Sequence, residues 1–349
     1  LANGTLAALL AAALKLGGRA AQWRGVVVSA ILLAAALLAT VGYARLLWRD
    51  PTGGPAFRVG LLQGDIDQSV KWDPRFQQAT LADYEGLARR LLPGRPDLIV
   101  WPEAAAPFLL QREDGLGLET RRFVAETGVP MLIGGPYLEP DGSLRNSAFL
   151  FGRDGTLRGR YDKRHLVPFG EYVPLQSVLF FLHKLVVGIG DFLPGHTATV
   201  FSLGGVRFSV MVCYEAIFPG EVRQFVERGA EFLVNVTNDA WFGRSGAPYQ
   251  HLAMAAMRAV ENGCYLVRAA NTGITAVIAP TGEILDQTTL FTRAALLGTI
   301  RPRLQETPYT RYGDVLAWAG LLFLGGYVVM LLLPRRAGET RRVNTRRMP

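Results

Sequence analysis

An α/β domain held between two apolar helices of membrane length is the fold class that this 349-residue sequence predicts. Three observations predict it. Two stretches of twenty residues, 25–44 and 315–334, carry no charged side chain. Between them, over about residues 57–303, short apolar runs alternate with amphipathic helical stretches. The net charge of +8 sits at the two ends of the chain and not in its middle.

The charge distribution excludes one class of partner. Residues 1–24 hold Lys15, Arg19 and Arg24 with no acid, and residues 335–349 hold six arginines against Glu339. What remains balances, with 28 basic and 28 acidic residues. A neutral body with basic ends is not a nucleic-acid surface. Hydrophobic residues at 50% and charged ones at 19% exclude disorder as a general state. The mean hydropathy of +0.19 points to the two long apolar runs. At a rise of about 1.5 Å per residue, twenty residues cover a hydrocarbon core of about 30 Å.

Orientation follows from the flanks. Under the positive-inside rule both basic ends stay cytoplasmic, so the domain between the spans faces the other side, which in a bacterium is the periplasm or the outer membrane face. Residues 1–24 read as the stump of an earlier membrane helix, uncharged over 1–14, followed by a cytoplasmic loop. A signal peptide is the competing reading, but 25–44 is long for the apolar region of one and lacks a clear small-residue cleavage site. Residues 335–349 form a basic cytoplasmic tail.

Within the domain, strands are expected at 57–66 and 97–103, with a helix at 76–92 between them. Strands at 130–138 and 145–151 precede a turn at Arg153-Asp154-Gly155. Residues 198–203 and 206–213 flank Gly204-Gly205, a hairpin signal. Then follow a helix at 221–228, a strand at 231–237, a helix at 249–262 and a strand at 264–270. A last hairpin turns at Pro280-Thr281-Gly282. Two stretches break this rhythm: the Pro-rich and apolar 164–197, and the Gly-rich 238–248 with Trp241 and Phe242 at its centre. Long irregular segments of this kind in a compact domain are commonly functional.

Three residues stand where an α/β enzyme usually presents its reactive groups, at the ends of apolar strands. Glu103 follows Leu98-Ile99-Val100-Trp101-Pro102, Lys163 closes Tyr161-Asp162, and Cys213 follows Phe208-Ser209-Val210-Met211-Val212. Singly, the first two read as solvated charges and the third as a small core residue. Together, a carboxylate, an ammonium and a thiol suffice for acyl transfer. The carboxylate takes the thiol proton, the thiolate attacks a carbonyl, and the ammonium supports the oxyanion.

Trp101-Pro102-Glu103, the run from Asp162-Lys163-Arg164-His165 through Pro168-Phe169-Gly170-Glu171, and Cys213-Tyr214-Glu215 resemble the Glu–Lys–Cys motifs of the nitrilase, or carbon–nitrogen hydrolase, superfamily in order and spacing. With flanking membrane helices, the chain resembles one branch, the bacterial apolipoprotein N-acyltransferases. The resemblance implies a nitrilase-like αββα sandwich and no cofactor. It implies Glu103 as general base, Lys163 as oxyanion support and Cys213 as nucleophile. Glu171 and Glu215 would orient the ammonium and the strand end, and the Tyr214 N–H would be a second oxyanion donor. It further implies a phospholipid donor (phosphatidylethanolamine), a diacylated apolipoprotein acceptor and the lipid bilayer as partners. Trp72, Trp241 and Tyr249 fall in segments placed around a lipid entrance. The apolar stretch 175–189, with Phe180 and Phe181, reads as a lid dipping into the membrane interface, or else as a core helix. Members of this branch carry several more membrane helices before the one at 25–44.

Other chemistries find little support. His165, His183, His196 and His251 show no pair at metal-ligand helical spacing, and neither a Gly-x-Ser-x-Gly elbow nor a Gly-rich phosphate loop occurs. A Cys213–Cys264 disulfide is conceivable in an oxidising compartment, but a nucleophilic Cys213 must stay free. The runner-up is a membrane-tethered amidase or nitrilase with a small soluble substrate; a third reading is a catalytically dead lipid-binding scaffold.

Overall fold

A computed structural model describes residues 19–47, 52–168, 170–172 and 192–332. The apolar stretch 175–189 with Phe180 and Phe181, the basic tail 335–349, and the uncharged 1–14 lie outside the described residues. The first helix, α1 (Arg19–Leu47), runs past both limits of the expected span and takes in Arg19, Arg24 and Arg45. The last, α7 (Val315–Leu332), begins where expected. Their described apolar side chains face outward, among them Leu38 in α1 and Leu316 and Leu322 in α7. Over the described residues, no helix is long and apolar enough to cross a membrane.

Two six-stranded sheets make up the domain. The first is built from β1 (Phe57–Gln63), β2 (Leu98–Val100), β3 (Met131–Leu138), β4 (Leu144–Phe151), β5 (Leu157–Asp162) and β12 (Ala294–Ile300), in the order β12-β1-β2-β3-β4-β5. The second holds β6 (Phe201–Leu203), β7 (Val206–Val212), β8 (Phe232–Thr237), β9 (Leu266–Ala270), β10 (Ala276–Ile278) and β11 (Ile284–Gln287), in the order β11-β10-β9-β8-β7-β6. In each, three central strands run parallel, with one antiparallel strand on one side and two on the other. The two halves share one topology without a visible sequence repeat.

Four helices complete the αββα sandwich. Helices α2 (Pro74–Leu91) and α3 (Gly115–Thr127) link β1 to β2 and β2 to β3; α4 (Pro219–Glu227) and α5 (Ala247–Asn262) occupy the equivalent links of the second sheet. A short α6 (Pro308–Tyr312) leads towards α7. Asp73 caps α2, its carboxylate accepting from the Arg75 N–H at 3.0 Å. Leu81, Tyr84, Leu87, Ala88 and Leu91 then bury one face of α2, three or four residues apart.

Strand β2 shows why its sequence reads apolar throughout. Leu98 and Val100 enter the core between the sheets, whereas Ile99 and Trp101 pack under α2 and α3. A parallel strand covered on both faces has no polar side. Trp101 is wholly buried and stacks on Tyr84 with ring centroids 5.0 Å apart, so it anchors the strand end that carries Glu103.

Four non-glycine residues adopt left-handed backbone just beyond central strands: Asp65 after β1, Ala104 after β2, Cys213 after β7 and Asp239 after β8. All lie at the carboxyl ends of parallel strands, where α/β folds place their sites. Gly134 in β3 makes room for one of them. A Cβ there would lie 2.3 Å from the Pro102 carbonyl oxygen and 2.9 Å from Glu103 Cα. These are backbone atoms that cannot rotate away. Gly134→Ala should therefore destabilise the domain by about 1–3 kcal/mol, seen as a lower thermal midpoint, and should displace Glu103.

Candidate active site

Strand ends from both sheets converge on one cluster. Lys163, just past β5, is 1% exposed, and its Nζ lies 2.8 Å from Glu171 Oε2 and 3.5 Å from Glu103 Oε1. Asn146 of β4 donates from Nδ2 to both carboxylates, at 2.8 Å to each. The closer of the two ion pairs is with Glu171, which also accepts from the Val167 N–H at 2.9 Å. Glu171 therefore neutralises the ammonium, and Glu103 keeps an oxygen available for a proton. Burial opposes the charge on Lys163, but Glu103, Glu171 and the Cys213 sulfur together hold its pKa above the ordinary lysine range.

Cys213 begins a 3₁₀ turn, Cys213–Ile217, directly after β7, with φ at 53°. A left-handed cysteine is uncommon and strained. Its partly buried side chain packs against the core between the sheets. Burial and the Glu103 charge push the thiol pKa up, and Lys163 opposes them without winning. Burial thus favours the neutral thiol over the thiolate at Cys213.

Glu215 sits in the same turn but belongs to the frame. Its Oε2 accepts from the Val212 N–H at 2.7 Å, and its Oε1 accepts from the Tyr161 hydroxyl at 2.8 Å and the Arg164 and His165 N–H groups at 2.6 and 3.1 Å. Burial raises its pKa, against the pull of these donors. Cys264 is buried, its pKa pushed up to about 12 by that burial, and both cysteines are free thiols.

The aromatic residues expected around a lipid entrance separate. Trp72 lines an open groove of about 470 Å³ with Gln77, Pro107, Phe108, Pro136 and Leu144. Trp241 and Tyr249 lie at the surface, 72% and 58% exposed, and among the described contacts neither touches the Glu103–Lys163 cluster.

Several site residues escaped the sequence reading. Asn146 is a polar break in an apolar strand, a signal that was available. Arg268 is another, fully buried within Leu266-Val267-Arg268-Ala269-Ala270; a charge there demands partners, and Asp239 and His251 supply them. Lys71 left no such signal. It is 1% exposed and donates from Nζ to the Glu103 carbonyl oxygen at 3.1 Å.

Burial pushes the Lys71 pKa down to about 8, against the attraction of Glu103 and Cys213. The unfolded chain holds this proton up to about 10.5. Between those values the unfolded state binds more protons, so the Lys71 contribution to stability rises with pH. Lys71→Met removes the penalty. Its stability advantage over the parent should shrink by about 3 kcal/mol from pH 8 to 10.5, measured by denaturant unfolding of both proteins across that range. A constant difference would contradict the buried charge.

Comparison with known proteins agrees with this fold. The carbon–nitrogen hydrolase family model matches residues 58–309. Apolipoprotein N-acyltransferases from Geobacter metallireducens and Methylococcus capsulatus are 48% and 39% identical over 88% and 87% of this chain. The chain spans about 60% of the length of these relatives, 60% and 59%. Among solved structures, an amidase from Nesterenkonia sp. AN1 superimposes with a TM-score of 0.57 at 21% identity, covering 76% of this chain and 99% of its own. A nitrilase-superfamily protein from Saccharomyces cerevisiae gives 0.55 at 18%, over 71% of this chain and 90% of its own. These two likenesses carry the sandwich fold. With the family model covering the whole domain, the chain belongs to the carbon–nitrogen hydrolase family.

Proposed function

We propose that this protein is an apolipoprotein N-acyltransferase working through a thioester on Cys213. The observation that carries the reading is the grouping of Glu103 and Lys163 with Cys213 at the sheet ends of a chain 48% identical to a protein of that name. In this reading Glu103 takes the Cys213 proton as the sulfur adds to an ester carbonyl of a phospholipid, most simply phosphatidylethanolamine. Lys163 and the Tyr214 N–H hold the resulting oxyanion. Collapse expels lysophospholipid, whose alkoxide takes the proton back from Glu103. The free α-amine of an S-diacylglyceryl cysteine then attacks the thioester, giving its proton to Glu103. The thiolate leaves and is reprotonated by the same carboxyl.

The membrane enters on similar grounds. Uncharged runs at 25–44 and 315–334, and outward-facing Leu38, Leu316 and Leu322, suit lipid better than water. We place the chain as a multi-pass protein of a bacterial inner membrane with its domain on the periplasmic side. Trp72, beside Lys71 and along the apolar groove, is the residue best placed to meet an acyl chain; Trp241, Tyr249, Phe180 and Phe181 are proposed as outer lipid contacts.

Incubation with phospholipid alone should add one acyl mass to the Cys213 peptide, and adding a diacylated lipopeptide should discharge it as a triacylated product. An acyl group mapped to another residue, or full turnover by Cys213→Ser, would overturn the mechanism. Lys163→Met should fold yet form thioester about 10²–10³ times more slowly, measured by intact-protein mass spectrometry. Release of ammonia from small amides, without acyl transfer, would point to the amidase reading.

A further inference from the structure

Behind Cys213 lies a buried charged cluster that the mechanism above does not use. His251 of α5, 5% exposed, has Nε2 3.1 Å from the Cys213 carbonyl oxygen and Nδ1 2.9 Å from Asp239 Oδ1. Arg268 of β9 is fully buried, with Nη2 2.6 Å from Asp239 Oδ2 and 3.1 Å from His251 Nδ1. Thr237 donates its hydroxyl to Asp239 Oδ1 at 2.8 Å. Arg268 also donates to the Asn235 side-chain oxygen, and Asn235 Nδ2 donates to the Met211 carbonyl at 3.2 Å and reaches the Cys213 carbonyl at 3.5 Å.

Such a cluster is an expensive way to fill a core, because burying three ionisable groups loses hydration that apolar packing would not. What it touches gives it a purpose. A carbonyl oxygen only accepts, so His251 Nε2 carries the hydrogen in its bond to Cys213. In a planar trans peptide the C=O and the following N–H point in opposite directions. Holding the Cys213 oxygen from the α5 side therefore turns the Tyr214 N–H to the opposite side. That N–H comes too early in the 3₁₀ turn to have a partner within it. The left-handed φ of Cys213 is strained and needs surrounding contacts to persist.

We propose that His251, held by Asp239 and Arg268, is a positioning residue that braces the Cys213–Tyr214 peptide and so aims the Tyr214 N–H at the oxyanion. This deepens the reading of Cys213 as acyl-accepting nucleophile and rests on it. Asp239 and Arg268 act through His251, and Asn235 supports the same carbonyl from β8.

Two substitutions separate bracing from packing. His251→Gln places an amide nitrogen near the former Nε2 and can donate to the Cys213 carbonyl. His251→Asn places it near the former Nδ1, satisfying Asp239 without reaching that carbonyl. Each is tested in the 349-residue chain in detergent with two reagents. A p-nitrophenyl fatty ester acylates Cys213 by carbonyl addition and needs the oxyanion donors; iodoacetamide alkylates it by displacement and does not. The Asn variant should acylate about 10²-fold more slowly than the parent and alkylate within about threefold of it, while the Gln variant recovers acylation to within about tenfold. Equal falls in both reactions, unchanged acylation by the Asn variant, or Gln and Asn variants alike would each overturn the brace. If the parent chain itself takes no acyl group on Cys213, the nucleophile reading fails, and the brace falls with it.

Discussion

Glu215 joins the ends of the two strands between which the chemistry sits. One of its oxygens holds the last amide of β7, and the other gathers the Tyr161 hydroxyl and the two amides that follow Lys163. The first group belongs to one sheet and the second to the other. A side chain with four donors converging on it and almost no solvent contact is a strong constraint. It ties the backbone just after Lys163 to the backbone just before Cys213, while the Lys163 side chain keeps its own ion pairs with Glu171 and Glu103. The apolar core shared by the two sheets holds them face to face, and Glu215 adds a polar tie at the strand ends that carry Lys163 and Cys213.

Division of labour among carboxylates follows from the same frame. Glu171 lies nearest the ammonium, Glu215 serves the backbone, and Glu103 holds only the weaker second place beside Lys163 and one Asn146 bond. Three acids within one site thereby acquire three environments. The buried thiol, with its raised pKa, gives the least committed of them something to do.

Much of this could be read before any coordinates. Alternation of apolar strands and amphipathic helices gave the layered domain, and most expected elements recur within two or three residues. Helix α3 was missed because Gly115 and Gly117 open it and weaken the helical pattern. β12 was missed because Leu296 and Leu297 spoil its alternation. Glu103, Lys163 and Cys213 were legible as candidates through their place at strand ends, and the fold brings Glu103 and Lys163 within 3.5 Å. Lys71 and His251 were not, since what matters in each is a backbone carbonyl distant in sequence, and no pattern of side chains records such a contact. Nor could any pattern show that Trp241 and Tyr249 stand at the surface, away from the Glu103–Lys163 pair.

The two sheets repeat one strand order, yet the reactive groups are shared out unevenly: Glu103 and Lys163 ride on the first half, Cys213 on the second. Neither half holds a complete set. On the proposed mechanism, chemical competence belongs to the interface between the two similar halves. The two sheets share one apolar core, to which Leu98 and Val100 contribute from one side and Val210 and Val234 from the other. A core substitution that shifts one sheet against the other would therefore move Cys213 relative to Glu103 and Lys163 without touching any of the three.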